Sequence, residues 1–181
     1  LIVTQGLCHV CAVSVDEVRA LAQTLPGPPR VISLDPTTYG ETVGDVRTIA
    51  QATDAKDAAL DLIARTARRA DIVRLAVRDA PRPRVAALEW LDPVFLAGHW
   101  TPQLIEMAGG EDVLGFIGEP SHETTWEDVA AAQPEIVIVM PCGYDAARAL
   151  VEAEEFREQL RGLGADQVVA VNASAYFSRP G

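Results

Sequence analysis

Positive charge is scarce in this sequence. Lys and Arg number 15 against 26 Asp and Glu, for a formal net charge of −11 and a pI near 4.6. Phosphate contacts need clustered basic side chains, so nucleic-acid partners are excluded, and so is a polybasic patch for anionic lipid. Long apolar runs are missing too, and none approaches the ~20 residues that span a bilayer as a helix. Three cysteines do not make a disulfide scaffold. Gly-x-Gly-x-x-Gly after a strand, a Walker loop, Gly-x-Ser-x-Gly and His-Glu-x-x-His are all absent. We therefore assign no catalytic residue and no metal ligand, and expect a protein that is not an enzyme. Leu1-Ile2-Val3-Thr4 reads as a strand with no leader before it, and the chain stops at Arg179-Pro180-Gly181. We expect further sequence on both sides.

What is present is globular. Of 181 residues, 49% are hydrophobic and 23% charged, and a chain of this length buries roughly 70% of its unfolded surface. Short runs rich in Val, Ile and Leu lie at Leu1–Thr4, Arg30–Leu34, Arg84–Leu88, Glu135–Met140 and Gln167–Val171. Continuous apolar runs bounded by turns predict buried parallel strands. The segments between them open on helix caps. Ser14-Val15-Asp16-Glu17 is a capping box for a helix to about Thr24. Thr101-Pro102 places a cap and then Pro at the first helical position. Thr125 and Asp145 cap two more helices, the second running to about Arg161. The expected fold class is α/β, with two β/α lobes of parallel sheet, the first incomplete.

One stretch breaks the alternation. From Glu41 to Asp79 there is no strand signal and no Pro, and Ala59, Leu62, Ile63, Thr66, Ala70, Val73 and Val77 make one apolar stripe at helical spacing. Asp54 is the expected cap of the longer helix. A helix of that length suits a spacer between lobes better than a crossover within one sheet. The expected division is residues 1–40 as the end of a first lobe, 41–83 as the connecting helical segment, and 84–181 as a second β/α lobe.

The ten aromatics (four Phe, three Trp, three Tyr) are unevenly spread. Tyr39, Trp90, Phe95, Trp100, Tyr144, Tyr176 and Phe177 all follow predicted strands, where the loops of a parallel sheet form the ligand crevice. Phe116 and Phe156 read as core. Rings in number with few charges suit a bulky, flat, amphipathic ligand. We assign Trp90, Phe95, His99, Trp100, Tyr144, Tyr176 and Phe177 to the ligand surface, with Gln5 and Cys8 from the loop after the first strand. Glu89, Asp92 and His99 are candidate polar contacts between the rings, and His122 reads as a solvated residue. Cys8 and Cys11 are spaced so that a turn brings their Cα atoms within the ~4.4–6.8 Å of a disulfide. With Cys142 they are open to three readings: inert or bridged, ligand-contacting, or a redox or metal site.

The runs RVAALEWLDPVFLAGHWTPQLIEMAGGEDVLG, TTWEDVAAAQPEIVIVMPCG and VVAVNASAYFSRPG together resemble the second lobe of the cobalamin-binding proteins of ABC importers. These belong to the helix-backbone, TroA-like class of periplasmic binding proteins, whose relatives bind iron–siderophore chelates and haem. LIVTQGLCHVCAVS and VISLDPTTYGETVGDVRTIAQAT resemble the end of the first lobe and the start of the joining helix. About the first third of such a protein has no counterpart here, and Ser121-His122-Glu123 stands where some relatives carry Trp. The resemblance implies an extracytoplasmic subunit, periplasmic or membrane-anchored at the cell envelope and monomeric at full length. It implies a corrinoid in the cleft as ligand rather than cofactor, and an ABC permease as partner. It also implies that Glu127 docks on that permease. The alternatives are an iron-chelate or haem binder on the same scaffold and, in another class, a redox enzyme built on the cysteines.

Overall fold

The computed structural model describes residues 1–7 and 13–178. The readings of Cys8 and Cys11 lie outside the described residues. The chain packs as two compact units, Leu1–Pro36 with Gly40–Ile63 and Thr37–Tyr39 with Ala64–Gly181.

The first unit contains β1 (Ile2–Thr4), α1 (Val15–Thr24), β2 (Val31–Ser33), nearly all of α2 (Tyr39–Thr53) and the start of α3 (Lys56–Val77). The two strands are parallel, pairing Ile2 with Val31 and Thr4 with Ser33. The capping box forms as read: Glu17 N donates to Ser14 Oγ and Ser14 N to Glu17 Oε2, both at 3.2 Å. Asp54 does not cap α3. It sits at φ 55°, and Ala55 N donates to Ala50 O at 2.9 Å. That bond, six residues around a left-handed turn, closes α2. Asp tolerates this conformation better than most residues because its short polar side chain bonds locally. The first turn of α3 instead bonds to the carbonyl of Ala55.

At 22 residues, α3 is ~33 Å long at ~1.5 Å per residue. Its residues divide by face. Ala59, Ile63, Thr66, Ala70 and Val77 are buried or half-buried, and all belong to the predicted stripe. Leu62 and Val73 lie at its exposed margin. No helix among the described residues is long and apolar enough to cross a membrane.

The second unit is organised by one strand. β3 (Arg84–Leu91) pairs in parallel with β7 (Ile136–Val139), which pairs in parallel with β8 (Gln167–Ala170). On its other side β3 takes β5 (Glu111–Asp112) in parallel at its foot and β4 (Val94–Leu96) antiparallel at its top. β6 (His122–Glu123) closes the order β6-β4-β3-β7-β8. Helices α4 (Thr101–Met107), α5 (Trp126–Ala131), α6 (Ala146–Glu155), α7 (Arg157–Gly162) and α8 (Ala173–Tyr176) complete it. Leu88, Leu91, Leu96, Val129, Val137 and Val139 form the main core cluster, with Val85, Ala87, Ile105 and Met140 in a second. Arg84 ties the foot of β3 to the end of α5. Its Nε donates to Gln133 O at 3.2 Å, satisfying a carbonyl just past the last helical turn.

Several sequence expectations are corrected here. The five predicted strands are present and their pairings are parallel, but the run after Leu88 is not a loop. β3 continues to Leu91 and turns through Asp92-Pro93 into β4, so Trp90 and Phe95 sit in paired strands. Trp100, not Thr101, is the N-cap of α4, and it offers no side-chain cap bond. The helix opened by Asp145 breaks at Phe156 into α6 and α7. Phe116 is 64% exposed rather than core, whereas Phe156 packs on the core and stacks on Trp126 at 6.2 Å.

The turn after β5 generates a stability prediction. Asp112 Oδ1 accepts from Leu114 N at 3.1 Å and Gly115 N at 2.7 Å, while Oδ2 is buried with no partner. Burial pushes the carboxyl above its usual range and the Glu106 charge adds to this, against the two backbone bonds. A carboxyl whose folded value is raised loses stability as pH climbs from its unfolded value through the folded one. Asp112→Asn keeps the acceptor and removes the charge. Thermal melts across acid to neutral pH should show parity with the parent at low pH and a growing advantage for Asp112→Asn as pH rises above about 4.

Candidate ligand-binding rim

Because β3, β7 and β8 run parallel, their carboxyl ends share one edge of the sheet, the position where open α/β sheets bind ligands. Three segments leave that edge in the second unit: the β3–β4 hairpin with the start of α4, the turn from Pro141 to Tyr144, and α8 with Phe177 and Ser178. They are laced together. Trp100 Nε1 donates to Phe177 O at 3.0 Å, Gly143 N to Ser178 Oγ at 3.2 Å, Ser174 N to Tyr144 O at 3.0 Å and Cys142 N to Glu89 O at 3.3 Å.

The rings follow from this lacing. Trp90 meets Tyr144 edge to face, centroids 5.6 Å apart at 86°, a favoured arrangement of ring quadrupoles. Arg148, one helical turn into α6, lies 3.7 Å above the Tyr144 ring and donates from Nη2 to its Oη at 2.9 Å. One face of Tyr144 is therefore occupied. The i, i+4 spacing of Tyr144 and Arg148 at a helix start is the signal that would have found this support. Trp90 and Phe95 are cross-strand partners, so their side chains share a face. Trp100 and His99 approach to 5.9 Å. Tyr176 is 72% exposed at the end of α8. The structure thus brings together Trp90, Phe95 and Tyr144, and separately His99, Trp100 and Phe177. Gln5 lies in the first unit.

A second strap orders the hairpin side. His99 N donates to Glu119 O at 2.6 Å, and Gly118 N returns the bond to His99 O at 3.0 Å. His99 takes φ 54° between them. A Cβ on Gly98 would overlap the backbone of Glu119, Pro120 and Ser121, so this crossing needs glycine. Gly98 N donates to Ser121 Oγ at 3.1 Å. Burial lowers the His99 pKa, which keeps the imidazole neutral at neutral pH. Burial likewise raises that of Glu89, opposed by a hydrogen bond with the Ser121 side chain. Sequence reasoning missed Ser121 and Gly98 as a pair because their link crosses 23 residues.

The other named residues have plain positions. Cys142 is half-buried in the turn after β7. His122 is exposed in β6, as expected. Glu127 is exposed in the first turn of α5, whose cap Thr125 accepts from Asp128 N at 3.1 Å. Among the described residues no group of three His, Cys, Asp or Glu side chains is placed to hold a metal ion.

No protein-family model and no curated protein matches the sequence, but solved structures do. The periplasmic vitamin B12 binding protein BtuF of Vibrio cholerae is 17% identical with a TM-score of 0.64, covering 91% of this chain and 64% of its own. A protein of the ABC-type Fe3+-hydroxamate transport system of Saccharomonospora viridis is 19% identical, TM-score 0.69, covering 93% and 60%. S. aureus IsdE, solved with heme, is 14% identical, TM-score 0.69, covering 90% and 66%. The chain spans less than two thirds of each. These neighbours are binding and transport proteins, not enzymes. What the likeness shows is the fold: a mixed α/β architecture like that of the helix-backbone substrate-binding proteins of ABC transporters.

Proposed function

We propose that this chain is the larger part of an extracytoplasmic solute-binding subunit of an ABC importer, which holds cobalamin or a related corrinoid and delivers it to a permease. The observation that carries the reading is the rim itself. Trp90, Phe95, Trp100, Tyr144, Tyr176 and Phe177 lie at or just past the carboxyl ends of three parallel strands, and among the described residues the cation packed on these rings, Arg148, is committed to Tyr144. Apolar rings suit a large planar ligand, and surroundings poor in cations among the described residues suit amide side arms better than the anionic arms of many iron chelates. Gln5 of the first unit is proposed as a further ligand contact, as is Cys8, which lies outside the described residues. Residues 1–40, 41–83 and 84–181 are then the end of the first lobe, the connecting segment and the second lobe. The full-length protein acts as a monomer at the cell envelope and carries out no chemistry on its ligand.

A haem binder on the same fold is the second reading, favoured by His99. Its imidazole is neutral, half-buried and beside Trp100, which is the form a haem iron takes as an axial donor.

Absorbance titration of the full-length protein with cyanocobalamin and with haemin separates the two. Saturable binding of cyanocobalamin is expected. Trp100→Ala and Phe95→Ala should each weaken it by about 1–3 kcal/mol, the scale of an aromatic anchor. Binding of haemin alone would transfer the assignment to the second reading.

Glu127 is proposed as a permease-docking residue. The helix dipole favours a carboxylate in this turn by roughly 0.3–1 kcal/mol, yet its exposure leaves it available to an arginine on a partner. Charge pairs of this kind set orientation and on-rate more than depth of affinity. Glu127→Ala should leave ligand affinity unchanged and slow association with the permease, most clearly at low salt. Lost ligand affinity, or unchanged association, would refute the role.

A further inference from the structure

Glu89 occupies an irregular place in the hairpin. Across the β3–β4 ladder Leu88 faces Leu96 and Trp90 faces Phe95. Two steps on β3 match one on β4, so Glu89 is the extra residue of a bulge. Bulges interrupt the ladder and re-aim a side chain, commonly beside functional sites. Here the re-aimed group is a carboxyl one residue before Trp90, at the carboxyl end of the central strand.

Its surroundings are specific. Ser121 Oγ accepts the Gly98 N–H, which leaves its own hydrogen free to be offered to the Glu89 carboxylate, whose pKa Ser121 draws down against burial. The Glu89 carbonyl accepts from Cys142 N, so the backbone is fixed as well as the side chain. Among the described residues no cation pairs with Glu89. A carboxylate offers about four acceptor sites, and one hydrogen bond from Ser121 leaves most of them open. The group is half-buried, and burying a charge without a cation costs free energy that a further donor recovers.

We propose that Glu89, positioned by Ser121, is the ligand-selecting group of the rim: it accepts a hydrogen bond from an uncharged or cationic donor, such as a carboxamide, on the edge of a flat ligand, and disfavours ligands carrying carboxylates there. The proposal rests on the reading that the aromatic rim is the ligand site. The discrimination follows from asymmetry. A donor completes the carboxylate's bonding, whereas an anion leaves it unsatisfied and adds like-charge repulsion. Sites built around a buried polar group reject ligands that leave it unpaired more strongly than apolar pockets reject a change of shape. The raised pKa of Glu89 is what such an incompletely bonded carboxyl shows before a ligand arrives.

The test uses the full-length protein and two corrins, dicyanocobinamide and dicyanocobyrinic acid, the second carrying carboxylates where the first carries amides. The parent should prefer the amide by tenfold or more. Glu89→Gln keeps the shape and the acceptor for Ser121 but adds an N–H donor. It should shrink that preference at least fivefold, mainly by tightening the acid. Ser121→Ala should shift it in the same direction by loosening the amide. An unchanged ratio in Glu89→Gln with both corrins bound overturns the proposal. If neither corrin binds, the corrinoid reading fails and haemin with its dipropionamide derivative becomes the deciding pair. A parent preference for the amide that Glu89→Gln abolishes upholds the role of Glu89, and equal binding of both by the parent overturns it.

Discussion

Strand β3 makes ladders on both sides and buries four consecutive residues, Val85, Ala86, Ala87 and Leu88. Successive strand residues point to opposite faces, so both faces of the sheet are covered at this strand. A slip of one residue would exchange the two sets of side chains and push large residues into space filled by small ones. The register with β7, Val85 to Ile136 through Leu88 to Val139, is thereby locked. Everything at the carboxyl edge inherits its position from that lock: the hairpin tip continues β3, and the Pro141–Tyr144 turn continues β7. The rim is thus carried on the most deeply buried strand pairing of the second unit.

The polar groups of this edge follow a different logic from its rings. Glycine at 98 lets two backbone segments cross, the crossing delivers Ser121 to the hairpin, and Ser121 holds the Glu89 carboxyl. The steric fact at Gly98 therefore has an electrostatic result nine residues earlier in the chain. Arg148 does similar service on the other side, where its guanidinium covers one face of Tyr144 and its Nη2 holds the phenol oxygen. Glu152 lies on the same helix, and burial raises its pKa despite the lowering influence of Tyr144 and the Arg148 charge. Trp90, Trp100 and Tyr144 are thus each backed by a neighbour that fixes the ring's orientation.

The parallel strands were legible because their side chains are buried on both faces and so read as unbroken runs of Val, Ile and Leu. The capping signals at Ser14, Thr125 and Asp145 were legible because a cap is a local event within four residues. β5 and β6 were not, since each is two residues long and exists only through the strand it pairs with. β4 was hidden by Asp92-Pro93, which marks a turn correctly but does not say whether a strand resumes after it. Asp54 and Thr101 carried the right residue type for a cap and took other places, since a backbone bond to Ala50 closes one helix and Trp100 begins the other. At the rim, Trp100, Tyr144, Tyr176 and Phe177 do follow strands, as their place in the sequence suggested, whereas Trp90 and Phe95 lie inside paired strands. The grouping of the rings into two clusters was not legible, because it depends on bonds such as Trp100 to Phe177 that join residues 77 apart in sequence.

The hydrogen bonds that lace the three rim segments have a thermodynamic consequence. Freezing a rotamer-rich side chain on association costs about 0.5–1.5 kcal/mol. The indole of Trp100 is already oriented by its bond to Phe177 O, and the phenol of Tyr144 is held between Arg148 and Trp90. Folding has settled that ordering before any ligand arrives. On the reading proposed above, encounter with such a surface needs no reordering of these two rings, so differences between ligands of similar shape are written in residence time rather than in capture. An edge laced in this way distinguishes its visitors by how slowly they leave.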